Sequence, residues 1–212
     1  QKKMQKELNK IAKDTNIFLK EFIKKQKKSK LIYPMQYGLF SGGKKIRSKV
    51  LIDIGSLFNL KYKSLIIIGA AIECIHAYSL IHDDLPCMDN DLIRRGKPST
   101  HIKFGEASAV LAGSSLLTLA FEIITCKKYS IDSKKKNEII NSLASCSGHT
   151  GIAGGKELNL KFENKKKKIN QIIDMQKKKT GKLFNFCLYS VGVLANKTYK
   201  EKKFLSNLGE DI

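Results

Sequence analysis

The sequence predicts an all-α protein, and three stretches carry that prediction. Residues 4–23 set Met4, Leu8, Ile11, Phe18, Phe22 and Ile23 at helical spacing, with lysines on the opposite face. Residues 64–82 are apolar and free of Pro, with Gly69 as the only glycine, the pattern of a buried helix. Residues 104–126 are again apolar and rich in Ala, Ser and Gly, which suits a tightly packed interior helix.

The elements follow in chain order. The stripe on residues 4–23 is expected to face the core rather than a membrane surface. Ser41-Gly42-Gly43 makes a flexible turn into a helix expected to start near Lys44, whose free backbone donors would face an anion. On that helix Lys44 and Arg47, three apart, would share a face. The helix over 64–82 puts His76 and Asp83 on one face, since two turns take about 7.2 residues. Pro86 removes a donor and clashes with the preceding turn, so this helix should end or bulge near Leu85 and fold Asp89 back toward Asp83. Asp132 or Ser133 should cap a helix running from about Lys134 toward Gly148. Gly148, Gly151, Gly154 and Gly155 do not form a G-x-x-x-x-G-K-[ST] loop; small residues that let a helix approach a substrate channel account for them better. Residues 169–195 and 198–212 complete the helical set.

Length and charge narrow the classes. The chain of 212 residues suits one sizeable domain, and 42% hydrophobic residues support a real core. No apolar run is expected to reach membrane-spanning length with clean flanks, and the lysine-rich start is no secretory signal. The absence of an initiator Met suggests that the numbering begins inside a longer reading frame. The cysteines, Cys74, Cys87, Cys126, Cys146 and Cys187, are odd in number and show no C-x-x-C pairing, which suggests reduced thiols and a cytoplasmic home. The formal charge of +21 invites a nucleic-acid or anionic-membrane partner. Yet the charge is mostly Lys, spread over the whole length in runs such as 134–136, 165–168 and 177–179, with no recognition motif beside it. A nucleic-acid role and stable membrane insertion are therefore not expected.

The chemistry concentrates in residues 75–101, IHAYSLIHDDLPCMDNDLIRRGKPSTH. Asp83, Asp84, Asp89 and Asp91 are hard oxygen donors of the kind Mg²⁺ takes together with substrate phosphates. Arg94 and Arg95 follow, suited to gripping phosphate oxygens bidentately. Of forty basic residues only Arg47, Arg94 and Arg95 are arginine. Lysine supplies plain charge elsewhere, so these three mark places where a planar fork is needed. Carboxylates for a metal beside arginines for phosphate read as a site for a magnesium diphosphate. An EF-hand is excluded, because its alternating ligands, central Gly and late Glu are missing.

DDLPCMD, in the form D-D-x-x-x-x-D and flanked by ECIHAYSLIH and RRGKP, resembles the first aspartate-rich motif of the trans-isoprenyl diphosphate synthases, most closely the bacterial farnesyl diphosphate synthase (geranyltranstransferase) branch. The resemblance runs from about Tyr33 to the last residue. It implies an isoprenoid-synthase helical bundle around a central cavity, a homodimer, and Mg²⁺-dependent head-to-tail transfer from an allylic diphosphate to isopentenyl diphosphate. By the same resemblance Asp83, Asp84 and Asp89 would hold Mg²⁺, helped by Arg94 and Lys179 at the departing diphosphate. Lys44 and Arg47 match G-G-K-x-x-R and, with His76 and Arg95, would hold isopentenyl diphosphate. Lys179-Thr180-Gly181 matches K-T-G, whose Lys reaches the allylic diphosphate and whose Thr helps stabilise the allyl cation. Ser48 stands where the family usually has Pro, with little consequence expected. Lys156 and Asn159 replace the Gln and Asp of G-G-Q-x-x-D-L, which puts the contribution of that turn in doubt.

The family's second aspartate-rich motif would follow LSNLGEDI and is not in this sequence, so the bundle is expected to lack its C-terminal helices. One alternative reading is a truncated, inactive or weakly active relative or partner subunit; another is a basic helical nucleic-acid or membrane-surface binder. Tyr78 and Ser79, five and four positions before Asp83, would floor the pocket for the growing chain, since Cβ vectors tilt toward the helix N-terminus. A large aromatic there resembles farnesyl-forming members and implies a fifteen-carbon product.

Overall fold

A computed structural model describes residues 2–162 and 169–212, and the lysine run at 165–168 lies outside them. Eleven α-helices account for nearly all regular structure among the described residues, with one two-stranded hairpin. The all-α expectation holds. Backbone contacts divide the chain, where one domain is expected from sequence, into two compact units: Gln1–Ser48 with Gly69–Cys126, and Lys49–Ile68 with Lys127–Ile212.

In the first unit, α1 (Lys2–Lys24) buries Ile11, Leu19, Phe22 and Ile23, with Leu8 and Phe18 half-buried. The predicted stripe therefore faces the core, except that Met4 is exposed and Thr15 and Leu19 complete the buried face. In α2 (Ile32–Leu39), Pro34 sits in the first turn, where its missing N–H breaks no helical bond. Gly38 brings α2 against Ile81: a Cβ at Gly38 would lie 2.4 Å from Ile81 Cδ1. Residues 69–83 belong to α4 (Tyr62–Asp83), which buries Ala70, Ala71, Ile72, Cys74 and Ile75 completely. Then β1 (Ile93–Arg94) pairs antiparallel with β2 (Lys97–Pro98) across Arg95 and Gly96. Both turn residues have positive φ, 52° and 75°, the geometry of a two-residue hairpin turn whose twist matches the strands.

The expected helix over 104–126 is broken. Gly105, at φ 87°, separates α5 (Thr100–Phe104) from α6 (Glu106–Thr125). Only one face of α6 is interior, through Ala109, Ala112, Leu116, Leu119 and Ile123, while Val110 and Leu111 are exposed. Both α4 and α6 are long and apolar enough to cross a membrane by length and composition, which corrects the reading that no such run exists. Of α4's apolar window, 78% is buried inside the protein, and core packing accounts for its composition.

In the second unit, α3 (Ile46–Leu57) contributes residues 49–57 and α4 residues 62–68, with Gly55 packed on Leu65. Asp132 caps α7 (Ser133–Ser147) by accepting from the Lys134 and Lys135 N–H groups, as expected. The run at 134–136 is less solvated than its charge suggests: Lys136 is buried, donating to the Tyr129 carbonyl at 3.0 Å. Next come α8 (Ile152–Phe162), α9 (Ile169–Gln176), a π-helical turn (Lys177–Gly181) that runs straight into α10 (Lys182–Leu194), and α11 (Tyr199–Glu210). A capping box between Thr198 and Glu201 starts α11. Gly181, Gly192 and Gly209 let α11 lie directly on the π turn and α10; a Cβ at Gly209 would meet the Phe184 carbonyl at 2.4 Å.

Candidate active site

The aspartate turn begins where α4 ends. The helix stops at Asp83, two residues before the expected limit, and a turn around Pro86 reverses the chain. The Asp89 N–H donates to the Asp83 carbonyl at 2.9 Å, so Asp89 does fold back onto Asp83, and Asn90 closes the loop in the left-handed region at φ 53°. Asp83 and Asp84 are buried and Asp89 is exposed. Asp84 accepts from Arg94 Nε with both oxygens at 2.8 Å and from Nη2 at 2.5 Å, and Asp91 lies 3.5 Å from the same guanidinium. This network raises the Arg94 pKa, chiefly through the hydrogen bond to Asp84. Arg94 thereby closes the aspartate turn on the hairpin, a contact beyond the diphosphate role expected of it from sequence.

Among the described residues no three His, Cys, Asp or Glu side chains stand ready as a metal cage. The donors still suit Mg²⁺, which takes one or two carboxylates and fills its octahedron with phosphate oxygens and water. Two adjacent buried carboxylates at a helix end meet that need.

Beside the turn is a cavity of about 320 Å³ lined by Lys44, Lys45, Arg47, Glu73, His76 and Arg95, with Gly42 and Gly43 at its edge. The helix start near Lys44 is corrected: α3 begins at Ile46. Lys44 and Arg47 therefore share no helical face, because Gly42, Gly43 and Lys45 all have left-handed φ and keep the segment out of the helix. The loop nevertheless brings both residues to the same cavity. Arg95 reaches back across it, donating to the Gly42 carbonyl. Glycine suits position 43 because its φ of 111° is one that L side chains rarely adopt, and a Cβ there would also make the Arg95 guanidinium shift. Burial, then the charges of Arg47, Arg95, Lys45 and Arg94, push the His76 imidazole down to about 3. His76 is thus a neutral hydrogen-bonding group inside a cationic wall.

Sequence reasoning missed two residues in this cavity. Glu73 is buried, accepts from Ser48 Oγ at 3.0 Å and pairs with buried Lys45 at 3.4 Å. Ser48 therefore does have a consequence, as one of the two donors to Glu73. The available signal was a lone carboxylate inside the apolar run of α4.

Tyr78 and Ser79 lie one turn before Asp83, as placed from sequence. Ser79 is buried, and the Tyr78 ring stands edge-on to His82 at 5.0 Å. His82 is fixed in turn by the Val110 carbonyl at 3.0 Å, and Gly113 of α6 makes room for its ring.

Lys179 and Thr180 belong to the second unit and sit in the π turn, a distortion often found at functional positions. The neighbouring lysines are ion-paired: Lys177 with Asp211, Lys178 with Asp174, Lys182 with Glu210. Half-buried Lys179 makes no such pair among the described residues. Gly155 of α8 lies against this turn, where a Cβ would be 2.7 Å from the Lys179 backbone nitrogen. Of the glycines in 148–155, Gly155 serves close helix approach, while Gly151 and Gly154 lie against the carbonyls of Cys146 and His149 in the preceding turn. In the same helix Lys156 is buried and Asn159 half-buried.

The polyprenyl synthetase family pattern matches residues 28–212. The farnesyl diphosphate synthase of Bacillus subtilis is 38% identical over 179 residues, covering 84% of this chain and 60% of the relative. That of Escherichia coli is 44% identical over 154 residues, covering 72% of this chain and 52% of the relative. The chain thus spans between half and two thirds of these curated relatives. Among solved structures, an FPP/GFPP synthase from Zymomonas mobilis superposes with a TM-score of 0.92 at 36% identity, covering 99% of this chain and 77% of that one. A geranyltransferase from Legionella pneumophila gives 0.89 at 33% identity, covering 99% and 75%.

Proposed function

The chain belongs to the polyprenyl synthetase family, and from that premise we propose that, as one helical prenyltransferase domain, it transfers an allylic group head to tail onto isopentenyl diphosphate, giving farnesyl diphosphate. The observation that carries the reading is the cationic cavity of Lys44, Arg47, His76 and Arg95 beside the aspartate turn. Its charges suit a diphosphate, and neutral His76 donates a hydrogen bond there without adding charge. This wall would hold isopentenyl diphosphate with its double bond free. Asp83, Asp84 and Asp89 would hold Mg²⁺, which when bound neutralises charge developing on the allylic diphosphate. Lys179 would grip the same diphosphate, and the Thr180 hydroxyl oxygen would face the carbon that becomes positive. The allylic C1–O bond breaks with its electrons leaving on diphosphate. The isopentenyl double bond then attacks C1, and the proton lost from the adjacent carbon goes to diphosphate. Tyr78, supported edge-on by His82, would floor the chain at fifteen carbons.

One assay series tests this, with radiolabelled isopentenyl diphosphate and chromatography of the dephosphorylated products. Asp83→Asn and Asp89→Asn should weaken Mg²⁺-dependent binding of geranyl diphosphate and keep the helical circular dichroism. Tyr78→Ala should lengthen the product. Unchanged binding in both aspartate variants would remove the metal assignment, and an unchanged fifteen-carbon product would place the floor elsewhere.

A further inference from the structure

Glu73 is the carboxylate in the wall of a cavity otherwise charged positive. It lies three residues before His76 on α4, and its side chain is 7% exposed. Both of its oxygens are engaged by the 42–48 segment: Oε2 lies 3.4 Å from Lys45 Nζ, and Oε1 accepts from Ser48 Oγ at 3.0 Å. That segment needs an anchor. Gly42, Gly43 and Lys45 have φ of 99°, 111° and 48°. For a lysine the left-handed region is costly, and it persists only where surrounding contacts impose it. Drawing the Lys45 side chain inward to Glu73 imposes it, and leaves Lys44 exposed at the cavity and Arg47 in the first turn of α3.

We propose that Glu73 is a positioning residue: through Lys45 and Ser48 it holds the 42–48 segment so that Lys44 and Arg47 converge on one diphosphate. Lys45 is the clamp on that segment and Lys44 the ligand. The proposal rests on the reading of this cavity as a diphosphate site.

Electrostatics alone predicts the opposite effect. Removing a carboxylate makes the wall more positive, which would tighten the hold on an anion. Loss of positioning weakens it instead. The probe is inorganic diphosphate, titrated calorimetrically into the whole chain without metal. Glu73→Gln and Lys45→Met should each weaken binding by roughly tenfold or more, the scale on which small misplacements act. Lys45→Arg should restore near-normal affinity, and Ser48→Ala should fall between. A merely structural role would lower the melting temperature of Glu73→Gln and leave the affinity of the folded protein alone. Unchanged or tighter binding in Glu73→Gln, with Lys44→Gln weakened, overturns the positioning role and leaves the site standing. Unchanged binding in Lys44→Gln overturns the site itself. Should Glu73→Gln not fold, Ser48→Ala decides, because it keeps the ion pair; normal affinity there ends the proposal.

Discussion

At His76, surroundings change a side chain most within the cavity. Burial and four nearby cations take its imidazole from an ordinary 6.5 to about 3. Its presence in a motif was legible from ECIH in the sequence; its charge state was not, because Arg47 and Arg95 are distant in the chain. The shift has a consequence for stability. The folded value lies below the unfolded one, so between about 3 and about 6.5 the unfolded chain binds the extra proton. Stability from this group is full above 6.5 and is lost as pH falls through that window. Urea midpoints at about pH 7 and about pH 4.5 should fall further for the wild type than for His76→Gln. Equal falls would show that His76 titrates normally.

At the level of elements, glycines decide how closely helices approach. Gly155 lets α8 rest on the backbone of Lys178 and Lys179, at the turn where the helix widens to π geometry. The K-T-G string was readable, and so was the close approach at Gly155. The π turn was not, since no residue type in KKKTG demands it; it arises where α8 and α11 both press on that segment. Gly155→Ala would put a methyl group 2.7 Å from a backbone nitrogen, which cannot swing aside as a side chain can. The expected cost is about 1–3 kcal/mol of stability from overpacking. Because Lys179 is displaced, affinity for an allylic diphosphate should fall as well. Urea unfolding and a binding titration measure the two effects, and a variant that matches the wild type in both would show that the turn yields easily.

Over the whole molecule, the charge of +21 is the dominant unbalanced quantity. Local pairs such as Lys178 with Asp174 and Lys202 with Glu138 offset only part of it. Self-repulsion should therefore destabilise the folded chain at low ionic strength. Raising ionic strength from about 0.01 M to about 0.15 M shortens the screening length from about 30 Å to about 8 Å. The melting temperature should rise over that range; a constant or falling value would show that local pairing already balances the charge.

The sequence by itself determined the helical class, the family and the residues of the aspartate turn. Helical periodicity and a contiguous motif such as DDLPCMD are local properties, carried in the order of residues. The tertiary structure alone decided that Arg94 closes on Asp84, that Lys44 stands outside the helix, and that Glu73 anchors Lys45 and Ser48. Each of these joins side chains ten or more residues apart, or depends on left-handed backbone that such contacts impose. Spacing along a chain can place residues on one face of one helix; only packing brings separate segments together.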